Sequence, residues 1–197
     1  MHFRTIDEIE EHKKTIRIWY IVGGVAIFSL GALWHFIFAW TDGWAPIGWL
    51  LPVNESVWEH VKLMFWPALI FYGIESIFLY KKTNNYLIAK TTTFYFIPIM
   101  SISIFFTVYG ATGFESFIFD TIVLALLTVA SQFISYKIVT AEPIAEKRHL
   151  VLIIIAIILT VLLATLLIVF TYVTPHIPLF EHEFANETGL YGILPNY

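Results

Sequence analysis

The sequence predicts an all-α protein: an integral membrane helical bundle of about five transmembrane helices, N-terminus inside and C-terminus outside. Three observations predict it. The 197 residues are 58% hydrophobic and only 13% charged, where soluble domains carry about a quarter charged residues. Eighteen Phe, ten Tyr and seven Trp fit a chain whose aromatic rings anchor at bilayer interfaces. Five apolar segments are long enough to cross a hydrocarbon core, which takes about 20 residues of helix.

Taken in order, these segments are 18–40, 61–80, 87–109, 114–138 and 150–173, within a single polytopic domain of residues 1–197. Residues 1–17 read as a cytoplasmic helix leading into the first span. Thr5 and Glu8 have capping-box spacing, and Glu10 and Lys14 are an i,i+4 pair in the favourable order. The second span opens on the stretch PVNESVWEH, residues 52–60. The third contains Pro98, and the fourth carries Glu115 and Asp120 near its start. Pro67 and Pro98 are expected to kink their helices. The fifth is apolar throughout and ends at Thr174-Pro175-His176, leaving 174–197 as an outer tail. Ile177, Leu179 and Phe180 let that tail fold back over the bundle.

Orientation follows from the cations. Arg4, Lys13, Lys14 and Arg17 precede the first span. Lys81, Lys82 and Lys90 lie between the second and third, and Lys137, Lys147 and Arg148 between the fourth and fifth. With five spans, ten of the eleven Lys and Arg fall on one side, which is then cytoplasmic; Lys62 is the exception. The expected location is a prokaryotic plasma membrane, with the lipid bilayer as partner. The net charge of −4 and the lack of a basic cluster away from membrane ends argue against a nucleic-acid partner. The absence of Cys excludes disulfides, thiolate metal sites and Cys nucleophiles.

This orientation puts His35, His60, His176 and His182 at or beyond the outer ends of spans. Asp42, Glu55, Glu59, Glu115, Asp120, Glu181, Glu183 and Glu187 fall there too. Gly24, Gly31 and His35 lie along one line of the first helix, and small residues mark the faces where membrane helices approach closely. His35 is therefore expected to point into the bundle. In PVNESVWEH, Ser56-x-x-Glu59 is a capping box. A helix that already includes Glu55 would place Glu55, Glu59 and Lys62 on one face, with Lys62 neutralising a carboxylate. Capping and an ion pair account for Ser56, Glu59 and Lys62; they leave Asn54, Glu55 and His60 to be explained.

Two chemistries fit these groups. Zinc or another divalent metal takes His nitrogen and carboxylate oxygen, commonly three protein ligands plus water when catalytic. His35, His60 and His176 are the candidate ligands, from the first, second and fifth spans at similar depth. Glu55 or Glu59 would accept the proton from a bound water, and Asn54 or Lys62 would steady an oxyanion. Haem is a poor fit, because these histidines sit shallow rather than mid-span. Alternatively, the histidines are neutral and bonded within the bundle, with no ligand. Deeper in the bilayer, Glu75 is expected to pair with Lys81 or Lys82. Asp120 opens a polar stripe of Thr121, Thr128, Ser131, Gln132 and Ser135 along the fourth span.

His35 with its aromatic neighbours, the run PVNESVWEHVKLMFWP and the later TPHIPLF together resemble an uncharacterised family, a domain of unknown function, of small polytopic membrane proteins from bacteria and archaea. The resemblance implies a compact multi-span protein and carries no activity with it. Three functions stay open. The first is a metal-dependent hydrolase working at the outer membrane surface on a small-molecule or lipid ligand. The second is a transporter or carrier for a cation or small molecule, continuing inward through Asp120 and Glu75. The third is a structural partner in a membrane complex.

Overall fold

A computed structural model describes residues 3–114, 116–181 and 191–193. His2, Glu115, His182, Glu183, Asn186 and Glu187 lie outside the described residues. Five helices carry the fold: α1 (Ile6–Trp40), α2 (Val57–Leu79), α3 (Tyr86–Thr112), α4 (Phe117–Val139) and α5 (His149–Tyr172). All five are long and apolar enough to cross a membrane. The expected N-terminal helix and first span are one continuous rod, α1. It starts with a complete capping box, in which Thr5 accepts from the Glu8 amide and Glu8 accepts from the Thr5 amide. The expected Glu10–Lys14 pair is replaced by one between Glu10 and Lys13, the other neighbour on the same helical face.

α2 is the centre of the bundle. It packs against α1, α3 and α5, while α1 also meets α4, and α3 meets α4 and α5. In its most apolar 18-residue window 61% of α2 is buried, against 17–22% for the other four. Its core is aromatic: Trp58, Phe65, Trp66, Phe71 and Tyr72 are all buried. The outer helices turn Ile, Val, Leu and Phe outward, as lipid-facing surfaces do. α2 and α3 run without a break through Pro67 and Pro98. Gly31 sets the α1–α2 spacing. A Cβ there would stand 2.5 Å from the Leu63 carbonyl oxygen, so only glycine permits this approach.

Loops alternate between the two ends. At the cation-rich end, Asn84 and Asn85 sew three segments together. Asn84 accepts from the Arg4 amide (3.0 Å) and donates to the Arg4 (2.9 Å) and Ala141 carbonyls. Asn85 donates to the Ile138 and Glu142 carbonyls and accepts from the Ile144 amide. Asn85 holds φ 54° at the start of α3, a left-handed conformation that Asn tolerates better than most residues.

Nearby lies a buried polar knot. Glu75 does not reach Lys81 or Lys82; it pairs with Lys90 at 2.5 Å. α3 returns alongside α2, and Lys90 lies one turn inside it, so its ammonium comes level with Glu75 rather than with the loop. Tyr86 donates to the same carboxylate (2.9 Å), and Lys90 donates to Tyr20 (3.0 Å). The ammonium also sits 4.1–5.0 Å from the ring centres of Tyr72, Tyr20 and Tyr86, within cation–π range. The polar stripe of α4 joins this knot: Ser135 bonds Tyr20, and Gln132 donates to Tyr72.

Candidate functional site

The opposite end carries PVNESVWEH, and its helix register decides what each residue does. α2 begins at Val57, with Ser56 as its cap in extended conformation (φ −73°, ψ 152°). Glu55 therefore precedes the helix and does not share a face with Glu59 and Lys62. Ser56 Oγ accepts from the Glu59 amide, as a cap should. The Ser56 amide is taken by Asn54 Oδ1 at 2.9 Å, so Glu59 does not close the box. Its carboxylate turns the other way and accepts from the Val53 amide at 3.0 Å.

From this register two clusters emerge. The first is a clamp around Lys62, whose side chain is fully buried. Its ammonium meets Glu59 Oε2 (2.5 Å), Thr171 Oγ1 (2.5 Å) and the carbonyls of Gly48 (2.7 Å) and Leu51 (3.2 Å). Thr171 also stands 3.2 Å from Glu59 Oε1. The clamp ties the α1–α2 loop and the last turn of α5 to α2. Every charge in it is met by an opposite charge or dipole, as a buried ion pair requires. Lys62 and Glu59 are occupied with each other, which leaves neither turned toward the histidines.

The second cluster is His35, Glu55 and His60. Their ligating atoms all lie within 4.8 Å of one another. His35 comes from the last part of α1, Glu55 from the loop and His60 from the first turn of α2. Glu55 straddles the two rings: Oε1 is 3.7 Å from His35 Nε2, and Oε2 is 3.2 Å from His60 Nε2. The rings stack at 25° with centres 5.6 Å apart. The cluster is half-buried, with side-chain exposures of 17%, 18% and 37% for His35, Glu55 and His60.

Proton placement sharpens this geometry. His60 Nδ1 lies 2.8 Å from the Ser56 carbonyl oxygen. A carbonyl only accepts, so Nδ1 carries the proton. In the neutral ring Nε2 then carries no proton, and it lies 3.2 Å from a carboxylate oxygen. Two lone pairs at that distance repel unless a cation lies between them, either a proton or a metal ion. Ligands held at 2.0–2.1 Å by a tetrahedral ion stand about 3.3 Å apart; here one ligand atom from each residue lies within 4.8 Å of the others, so the side chains would draw together around an ion. Among the described residues, His35 Nδ1 is buried without a hydrogen-bond partner. The ring packs edge-on to Phe36 and near Phe117 of α4.

The other sequence candidates fall elsewhere. His176 is exposed and stacks on Tyr191 with centres 4.6 Å apart; it is not in the group with His35 and His60. Pro175 ends α5, and the chain turns so that Phe180, not His176, packs inward against Trp58 and Phe170. Asn54 is a buried brace, donating to the Gly192 carbonyl at 2.9 Å and so holding the returning tail. Asp120 is exposed in the first turn of α4. Glu75 sits in the Lys90 knot at the other end. Sequence reasoning missed Thr171, whose only signal is a hydroxyl in the last turn of a span that also carries Thr160 and Thr165.

The model of the Family of unknown function (DUF6512) matches residues 8–193, and the chain belongs to that family. No curated protein and no solved structure matches it.

Proposed function

We propose that this DUF6512 member is a metal-dependent hydrolase of a prokaryotic plasma membrane, with its centre at the outer end of the bundle. His35, Glu55 and His60 hold one divalent ion, zinc or a similar metal, and a water or substrate oxygen takes the remaining position. The observation that carries this reading is His60 Nε2, without a proton, 3.2 Å from Glu55, with the ring's proton already committed to Ser56. The donor set of two imidazoles and a carboxylate is one that catalytic zinc uses. Such an ion makes a bound water acidic near neutral pH and polarises a carbonyl or phosphoryl oxygen.

The surroundings favour a substrate that arrives from the membrane surface. Phe36 and Phe117 flank His35 and are 50% and 69% exposed, giving the site an apolar rim. The N-terminus faces the cytoplasm in this reading, because Lys and Arg gather at the other end. The PVNESVWEH run serves the centre through its cap: Ser56 fixes the helix start, its carbonyl sets the His60 tautomer, and Asn54 holds the preceding turn.

A carrier is the second reading, favoured by the buried thread of Gln132, Ser135, Tyr20 and Lys90 leading to Glu75. Met64, Phe65, Trp66 and Phe94 form an apolar layer in the core between that thread and the histidines, which favours a site closed from below.

Cobalt(II) substitution tests the proposal. Purified protein stripped with chelator and titrated with Co²⁺ is expected to show the intense visible bands of a four-coordinate ion, saturating at one per chain. Azide or phosphate should then shift those bands by entering the open position. No visible spectrum would remove the metal, and a spectrum indifferent to anions would remove the hydrolase.

A further inference from the structure

A second site lies at the cation-rich end, away from the histidines. Between α1 and α4 runs a groove with a cavity volume of about 700 Å³, within the range of small-ligand sites. Its walls are apolar and face outward: Ile21 and Val25 on α1, Val129 and Phe133 on α4, each more than 60% exposed. Gly24 forms part of the floor; a Cβ there would lie in ordinary contact, 3.7 Å from Gln132. Along α1 the groove runs from Arg17 to Ser29, about 18 Å at 1.5 Å per residue. That is close to the depth of one leaflet in a hydrocarbon core about 30 Å thick.

Its chemistry changes along its length. At the membrane-surface end stand Arg17 and Lys137, and no carboxylate belongs to the lining. Lys137 is bent back over the Phe133 ring, its nitrogen 5.3 Å from the ring centre. Below the cations, two buried polar atoms have no hydrogen-bond partner among the described residues: the Tyr136 hydroxyl and Gln132 Oε1. Gln132 is only 5% exposed, and such atoms are costly unless a ligand or water meets them. Its amide nitrogen donates to Tyr72, whose own proton goes to Thr93, since Thr93 donates to the Lys90 carbonyl. The Gln132 oxygen is therefore an acceptor beside buried Gly23, and the Tyr136 hydroxyl is the donor left to meet a ligand.

We infer that this groove holds one anionic phospholipid of the adjoining leaflet. Its phosphate sits between Arg17 and Lys137, its ester linkage accepts from the Tyr136 hydroxyl, and one acyl chain lies along the apolar walls. The order of charge, buried hydrogen-bonding groups and hydrocarbon matches the order of those parts in a phospholipid. A zwitterionic lipid offers the same chain and esters but no net charge for the two cations.

Native mass spectrometry tests this on the full chain in mild detergent, after incubation with equal amounts of phosphatidylglycerol and phosphatidylcholine of matched chains. The wild type is expected to retain one phosphatidylglycerol, about thirtyfold over phosphatidylcholine, for two interfacial cations. The surface double variant Arg17→Gln/Lys137→Gln should abolish the preference while still holding some lipid. Gly24→Leu, which fills the floor, should lose both lipids; a thermal scan confirms that each variant is folded. Equal retention of the two lipids by wild type, or unchanged preference in the double variant, would overturn the inference. A lipid-free dimer would overturn it too, since a second copy would then fill the groove.

Discussion

Glu55 and Glu59 flank the same helix cap and meet opposite fates. Glu59 follows the cap, is buried, and has Lys62, the Val53 amide and Thr171 around its carboxylate. Glu55 precedes the cap, keeps contact with solvent, and has two imidazoles beside it. Glu75, at the far end, is also paired with a lysine, with Lys90 and Tyr86 both on Oε2, while among the described residues its Oε1 is buried with no hydrogen-bond partner. A carboxylate met by a lysine and neutral donors has its charge matched and holds helices in place. A carboxylate met by two histidines, one of which has its Nδ1 proton committed to the Ser56 carbonyl, gains most from a cation. The difference separates groups that build the bundle from groups available for chemistry, although both kinds stand within one nine-residue stretch.

The comparison can be broken by substitution, and the largest effect should fall on the clamp. Lys62→Met leaves Glu59 buried without its partner, which typically costs about 3–5 kcal/mol. A chemical or thermal unfolding series in detergent should show that loss, with metal content of the folded fraction unchanged. The double variant Glu59→Leu/Lys62→Met should be clearly more stable than Lys62→Met alone; equal stability would mean the pair does not act as a unit. Lys90→Met should behave like Lys62→Met.

Gly31→Ala comes next. Its new methyl meets the Leu63 carbonyl and pushes α1 away from α2, one turn from His35. Overpacking of this kind costs roughly 1–3 kcal/mol. Because His35 and His60 sit on these two helices, cobalt affinity should fall along with the melting temperature. A loss of stability with unaltered affinity would show that the helix spacing does not set the site. Ser56→Ala is smaller, about 1 kcal/mol for a lost cap, again with weaker metal binding because Ser56 positions both Glu55 and His60. Glu55→Gln is expected to change stability least, within about 1 kcal/mol, and metal content most. If it destabilised as Lys62→Met does, Glu55 would belong with the structural carboxylates.

The bundle was legible because five long apolar runs and one-sided cations are properties of the whole chain. Glu55 and His60 were legible as the residues that capping could not absorb. The rest depended on register and on distant partners. Whether Glu55 shares a face with Glu59 turns on a helix start shifted by two residues, which composition does not fix. Lys90 looked like a loop cation because its partners Glu75, Tyr20, Tyr72 and Tyr86 come from three helices with no common spacing. His176 has the right depth, but depth says nothing of azimuth, and the turn after Pro175 leaves its ring against Tyr191.

The central claim is that two histidines and Glu55 form a metal centre beside a purely structural ion pair. Elemental analysis of protein purified without chelator tests it most directly, on the wild type, Glu55→Gln and, as the neighbouring control, Thr171→Val in the clamp. The account predicts a stoichiometric divalent metal in the wild type and in Thr171→Val, and its loss in Glu55→Gln with the fold intact. A folded wild type that holds no stoichiometric metal, or a Glu55→Gln variant that keeps it, would contradict the account.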